Sequence, residues 1–152
     1  MKLAEALILR ADLKKRIEQL RERLKLSAVV QEGEEAPENP EELLAELNRN
    51  LEHFTSLVRK INRTNLAAGL PNGTSLTDAL AERDSMAIYH NVLLSTAEAA
   101  TPKVDRLGRA EIRKLPTIKV AILRRRMDEV ARERRELDTL IQSTNWSADL
   151  LD

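Results

Sequence analysis

The chain has 152 residues, of which 25 are Lys or Arg, 25 are Asp or Glu and none is Cys. The lack of cysteine excludes disulfides, thiolate catalysis and cysteine-based zinc sites. The balanced charge gives no reason to expect nucleic acid or an acidic membrane surface as a partner. Hydrophobic residues make up 42% of the chain, which suits a single domain over residues 1–152 with a proper core.

Charged residues make up 33% of the chain, against only four Gly and five Pro, a composition typical of long solvated helices. Glu5, Arg10 and Asp12 interrupt the apolar stretch at the N-terminus, so this segment does not resemble a signal peptide. No window approaches the 18 or so apolar residues that span a membrane. We therefore expect a cytoplasmic protein with no stable membrane association.

The first predicted helix covers residues 3–26, where apolar residues recur every three or four positions. Residues 27–31 follow, and their Ala28-Val29-Val30 centre has strand character because β-branched residues favour strands. An acidic loop with two prolines then leads to the second helix.

The second predicted helix has a clear start signal. Asn39 can cap it, Pro40 suits its first position and Glu42 completes a capping box. Turn residues at 69–73 end this helix.

The third predicted helix begins near residues 74–75, has Asp78 in its first turn and stops at Pro102. The following segment is irregular, and its residues 111–115 alternate as an exposed strand would. Pro116 opens the fourth helix.

Four long helices joined by short turns or single linkers favour antiparallel neighbours. The sequence therefore predicts an all-α fold with short strand-like linkers. The architecture is a long antiparallel four-helix bundle or two stacked helical hairpins.

The helices also show an internal repeat. A true duplication predicts two halves, 1–68 and 74–146, related by a pseudo-two-fold axis. The alternative is coincidence among residues common in every helix, although Thr and Asn in the shared ending are poor helix formers. The matches are Leu3, Glu5, Ala6, Leu7 and Arg10 with Leu76, Asp78, Ala79, Leu80 and Arg83 at an offset of 73, and Leu57, Ile61, Thr64 and Asn65 with Leu137, Ile141, Thr144 and Asn145 at an offset of 80.

Two arginines, Arg10 and Arg83, lie inside the apolar stripes, where a charge is costly unless it is paired. We expect a polar cluster in each half that joins one helix start to another helix end. In the alternative, each arginine lays its stem along the core edge and places its head in water. The candidate partners are Asn65 and Asn145, or a carboxylate at the stripe edge such as Asp12 or Asp84.

No motif for catalysis or cofactor binding is present. The residues three before His53 and His90 are Asn50 and Ala87, so the Glu-x-x-His pairs of dinuclear bundle sites are absent. No glycine is placed for a phosphate-binding loop. We expect no catalytic residue, no metal and no cofactor, and a site built from both histidines and a carboxylate on different helices is the remaining alternative.

Two charge clusters stand out, and the simpler interpretation is that they meet, within one chain or between subunits. The basic cluster lacks the interleaved aromatics of single-strand binding, so no nucleic acid is expected. Trp146 is the candidate interface residue, packing on the bundle or on a second subunit, and we expect a homo-oligomer. The acidic cluster holds Glu32, Glu34, Glu35, Glu38, Glu41 and Glu42, and the basic cluster holds Arg106, Arg109, Arg113, Lys114, Lys119, Arg124, Arg125 and Arg126.

Five motifs are distinctive: L-A-E-A-L-x-x-R-A-D-L at 3–13, V-Q-E-G at 30–33, I-N-R-T-N at 61–65, L-A-E-R-D at 80–84 and N-W at 145–146. Together they resemble a septicolysin-like family of small, mostly uncharacterised bacterial helical proteins, over essentially the whole chain. The label septicolysin implies a pore-forming cytolysin. The resemblance carries no functional residues with it.

The sequence therefore predicts a non-enzymatic helical-bundle protein that acts by oligomerisation or by binding a protein partner. The first alternative is a membrane-active cytolysin, although Arg10, Arg83 and Arg134 within the apolar stripes would be costly in lipid. The second alternative is a metal-binding or enzymatic bundle that uses His53, His90 and helix carboxylates.

Overall fold

The computed structural model describes residues 1–101 and 115–152, and within them the chain is all-α. This confirms the predicted fold class. An isolated antiparallel bridge joins Lys2 and Asp149, and no strand forms in the described ranges. The helices are α1 (Leu3–Ser27), α2 (Pro40–Ala67), α3 (Leu76–Ala100) and α4 (Val120–Ser147).

Helices α2 and α3 begin where their capping residues predict. The Asn39 side chain accepts a hydrogen bond from Glu41 N at 2.9 Å, and Ser75 Oγ accepts one from Asp78 N at 3.1 Å. The predicted capping box with Glu42 is wrong, because the Asn39 side chain accepts from the N–H of Glu41, the second helical residue, and not from that of Glu42. Helix α3 ends at Ala100, two residues before the proline that was predicted to stop it.

Two other sequence expectations need correction. Helix α4 begins at Val120 rather than at Pro116. The strand-like run at 27–31 forms the end of α1 and a loop, because no neighbouring strand pairs with it in the described chain. The second strand-like run lies, apart from Leu115, outside the described residues.

The helices repeat in length. Helices α1 and α3 have 25 residues each, and α2 and α4 have 28 each. Both bounds of α3 lie 73 residues after those of α1, and both bounds of α4 lie 80 after those of α2. Seven pairs of buried positions recur at the same offsets, while the two-fold axis stays a prediction. The recurring pairs are Leu3 and Leu76, Ala6 and Ala79, Leu20 and Leu93, Leu43 and Leu123, Leu57 and Leu137, Ile61 and Ile141, and Thr64 and Thr144.

The chain divides into two compact units, and the first contains residues 1–69 and 142–152. In this unit α1 and α2 run antiparallel, because Arg23 near the end of α1 binds Glu38 just before α2. The C-terminal residue is held beside the other end of α2, where Lys60 Nζ lies 2.8 Å from Asp152 Oδ1.

The second unit contains residues 70–141, in which α3 and α4 also run antiparallel. Leu93 and Ala97 near the end of α3 pack with Leu123 and Val130 in the first half of α4. Met86, Val120 and Met127 surround this cluster. The core of the unit therefore lies on one side of α3 and leaves the other side open.

Candidate interaction surface

The open side of α3 carries a stripe of uncharged residues that are all exposed to solvent. Their spacing alternates between four and three positions, so they form one continuous line along the helix. Ile88 is 66% exposed and Val92 is 54% exposed. We call this set the α3 stripe, and it contains Ala81, Ser85, Ile88, Val92, Ser95 and Ala99.

The α3 stripe and the core-facing side of the helix are distinct. Ile88 and the buried Leu93 are five positions apart, which places them about 140° apart around a helix of 3.6 residues per turn. The burial of Leu76, Ala79, Leu93 and Ala97 already accounts for how α3 is held in its unit. The α3 stripe contributes nothing to that core.

The middle of α3 is also free of formal charge. Residues 85–97 contain no Asp, Glu, Lys or Arg, in a chain where one residue in three is charged. One further apolar side chain at the edge of the stripe, Tyr89, is open to solvent at 43% exposure. A contiguous exposed apolar patch marks an interaction surface more often than a single exposed apolar residue does.

A small groove lies next to the stripe between α3 and α4. Its volume is about 210 Å³, below the usual size of a small-molecule site. Arg126 Nε donates to the Tyr89 hydroxyl at 3.4 Å. This hydrogen bond raises the pKa of Arg126, and the nearby Glu129 raises it further. The groove therefore has a charged rim beside the uncharged stripe. Its lining residues are Met86, Tyr89, Arg126, Glu129, Val130 and Glu133.

The predicted polar clusters have mixed outcomes. In the first unit Arg10 is exposed and Asn65 is half-buried, and no hydrogen bond joins them in the described part of the chain. In the second unit Arg83 is half-buried and donates to Asp84 at 2.9 Å, one of the carboxylates considered from the sequence. Arg83 also lies 3.8 Å from Asp138, which the sequence did not suggest. Asn145 is buried near the end of α4 at 6% exposure.

The remaining candidates lie on the surface or at its edge. Trp146 is 57% exposed, so more than half of its surface does not pack within the chain. His53 is exposed and His90 is half-buried. Among the residues that the structure describes, no group of three His, Asp or Glu side chains is arranged to hold a metal ion.

The two charge clusters are partly outside the described residues, which exclude Arg106, Arg109, Arg113 and Lys114. Within the acidic cluster, Glu38 is bound by Arg23 of α1. The hydrogen bond from Arg23 lowers the pKa of Glu38. In residues 1–101 and 115–152, no helix is long and apolar enough to cross a bilayer.

The sequence interpretation missed the α3 stripe. Apolar periodicity identifies α3 from its core-facing residues and does not show that the opposite side is uncharged and exposed. The available signal was the run of 13 residues, 85–97, without a formal charge. The matching run of α1, residues 12–24, carries eight charges.

The chain belongs to a family of unknown function, DUF6847, whose profile matches residues 10–150. It is also similar to a solved structure described as a functionally unknown conserved protein from Corynebacterium diphtheriae. The two chains are 38% identical, 99% of each is covered, and the TM-score is 0.92. No curated protein matches the chain. These findings agree with the uncharacterised family expected from the motifs, and nothing in them supports the septicolysin-like assignment.

Proposed function

We propose that the protein is a non-enzymatic, cytoplasmic helical protein that works by binding a protein surface through the α3 stripe. The observation that carries the proposal is the exposure of Ile88 and Val92 on a helix face that the core of the unit does not use. Exposed apolar side chains in a continuous line favour association because burying them removes apolar area from water.

The chemistry of the surface favours a protein as the partner. The stripe is flat and narrow, and its small residues Ala81, Ser85, Ser95 and Ala99 allow another helix to approach closely. A row of anchors at spacings of three and four is how helices recognise helices. The stripe offers no fixed charge that would select a phosphate, a nucleic acid or a metal ion.

The same face is the part of the molecule that a membrane-active account would use. The septicolysin resemblance therefore makes a competing prediction, in which the uncharged side of α3 inserts into lipid. Arg83 lies on the other side of the same helix and would be costly to bury if the whole helix entered a bilayer, so full insertion is disfavoured.

The proposal is tested with the tagged full-length chain, purified from the organism that encodes it. The stripe variant combines Ile88→Lys with Val92→Gln, the residues found at the matching positions of α1. The control variant combines Lys15→Arg with Gln19→Asn on α1. Quantitative mass spectrometry should find protein species, another protein or an untagged copy, that are lost from the stripe variant and kept by the control.

Two results would contradict the proposal. One is a set of bound proteins that is identical for the wild type and the stripe variant. The other is release of dye from vesicles of phosphatidylglycerol and phosphatidylethanolamine by the wild type but not by the stripe variant, which would support the lytic account instead.

A further inference from the structure

The α3 stripe reads nearly the same in both directions. Its six positions are arranged symmetrically about His90, with two alanines at the ends, two serines next and two β-branched residues at the centre. A second α3 that runs antiparallel across this face would therefore meet a residue of matching size at every step. The pairs that result are Ala81 with Ala99, Ser85 with Ser95 and Ile88 with Val92.

The spacing of the stripe is that of a coiled-coil seam. Alternation of four and three positions keeps the same side of a helix facing its partner when two helices cross at about 20°. The stripe runs from Ala81 to Ala99, a length of about 27 Å along a helix. All six side chains are already exposed, so a partner helix can pack on them without any rearrangement of the chain.

We propose that a second copy of this chain packs its α3 antiparallel on the α3 stripe, about a two-fold axis that crosses the seam between Ile88 and Val92. This inference rests on the proposed function and names its partner. A two-fold interface uses the same patch on both copies, so Ile88 of each copy lies against Val92 of the other. Tyr89 and Asn91 flank the axis and face their own counterparts.

Comparison with helix α1 shows why the order of residues favours self-association for α3 and not for α1. The matching six positions of α1 are Ile8, Asp12, Lys15, Gln19, Glu22 and Leu26. An antiparallel pair of α1 helices would place Asp12 against Glu22 of the other copy, and like charges that face each other destabilise a helix pair. Of these two helices of equal length, only α3 has a composition that suits antiparallel self-pairing.

The expected strength follows from the size of the seam. One helix pair of about 27 Å with four small residues gives an interface at the low end of specific protein contacts. We expect a dimer that dissociates on dilution, with a Kd on the order of 1–100 μM.

The test uses the absence of cysteine from the full-length chain. Ser85→Cys and Ser95→Cys are placed in separate chains, mixed in equal amounts and oxidised gently. Opposed seam positions bring Cβ atoms close enough for a disulfide, so the mixture should give a covalent dimer, while each chain alone should give several-fold less. The matched control is a mixture of Asp12→Cys and Glu22→Cys chains, which should remain monomeric.

Each outcome decides the inference. Covalent dimers from Ser85→Cys alone, as efficient as those from the mixture, would overturn the antiparallel register. No covalent dimer from any chain, together with a monomeric mass at 500 μM, would overturn self-association. In that second case, proteins that are lost from the Ile88→Lys and Val92→Gln variant in native purification would still support the proposed function, so the two failures are distinguishable.

Discussion

Helices α1 and α3 have the same length and share several buried positions, yet the centres of their exposed sides differ. Leu3 and Leu76 are both fully buried at 0% exposure, as are Ala6 and Ala79. On the open side, the exposed Lys15 of α1 corresponds to Ile88, which is 66% exposed. The comparison separates what the fold requires from what it does not.

The centre of the exposed side of α1, residues 12–22, is rich in charged side chains. Charged side chains there keep the surface soluble and form short-range ion pairs, such as Lys25 with Glu22 at 2.7 Å. Exposed Ile and Val bring no such benefit and promote unwanted association. The proposed binding function gives a reason for their alignment along α3.

The largest predicted effect tests whether the two buried sides are truly equivalent. Leu3→Ala and Leu76→Ala each remove a side chain that is 0% exposed, so each should lower the free energy of unfolding by about 2–5 kcal/mol. Urea unfolding followed by circular dichroism measures both. A loss below about 1 kcal/mol for either variant would break the equivalence of the two cores.

The helix starts should give a smaller and similar pair of effects. Asn39→Ala and Ser75→Ala each remove a side chain that accepts a hydrogen bond from a first-turn N–H. Each should cost about 1 kcal/mol, again from urea unfolding. Thr77→Ala, which changes an exposed residue of the same turn without removing the cap, is the control and should cost markedly less.

The arginines at equivalent positions should differ. Arg83 is half-buried, binds Asp84 and lies near Asp138, so Arg83→Ala should cost about 0.5–1 kcal/mol in unfolding free energy. Arg10 is exposed, and Arg10→Ala should change stability by no more than about 0.5 kcal/mol. Equal losses for the two variants would mean that the Asp84 and Asp138 contacts do not distinguish these sites.

The smallest predicted effect is on the free energy of unfolding at acid pH. In the first unit, the hydrogen bond from Arg23 lowers the pKa of Glu38, and the bond from Lys2 lowers the pKa of Asp149. A carboxyl with a lowered pKa in the folded state stabilises the protein above its ordinary pKa, near 4. This contribution is lost as the pH falls through the folded value.

Glu38→Gln should therefore weaken the dependence of unfolding free energy on pH between about 5 and 3. Glu34→Gln changes an exposed carboxylate that forms no ion pair in the described residues, and it is the matched control. An identical pH profile for the wild type and the Glu38 variant would show that the Arg23 contact is absent in solution.

Local signals predicted the fold well, because helix starts and ends depend on neighbouring residues. Asn39, Ser75 and Pro102 placed three helix boundaries correctly. The run at 28–30 misled because β-propensity describes how a side chain fits a sheet, and the described residues offer no strand beside it. Arg83 donates to the carboxylate of Asp84. A hydrogen bond between two charged groups is stronger than one to a neutral amide.

The candidate surface was harder to predict than the fold. Periodicity identifies a helix from its buried side, and Leu76, Ala79 and Leu93 do so for α3. The importance of Ile88 and Val92 becomes clear only when their exposure is known, since a fully apolar helix can equally be buried on all sides. The charge-free run at 85–97 was visible in the sequence, but its solvent exposure was not.

The most direct test of the central claim is the mass of the full-length chain in solution, measured by light scattering from 5 to 500 μM. The wild type should rise from monomer toward dimer across this range. The variant that gives α3 the residues of α1, Ile88→Lys with Val92→Gln, should remain monomeric and keep the unfolding free energy of the wild type. A wild type that stays monomeric throughout, or a variant that dimerises equally well, would contradict the claim that the α3 stripe binds a second copy.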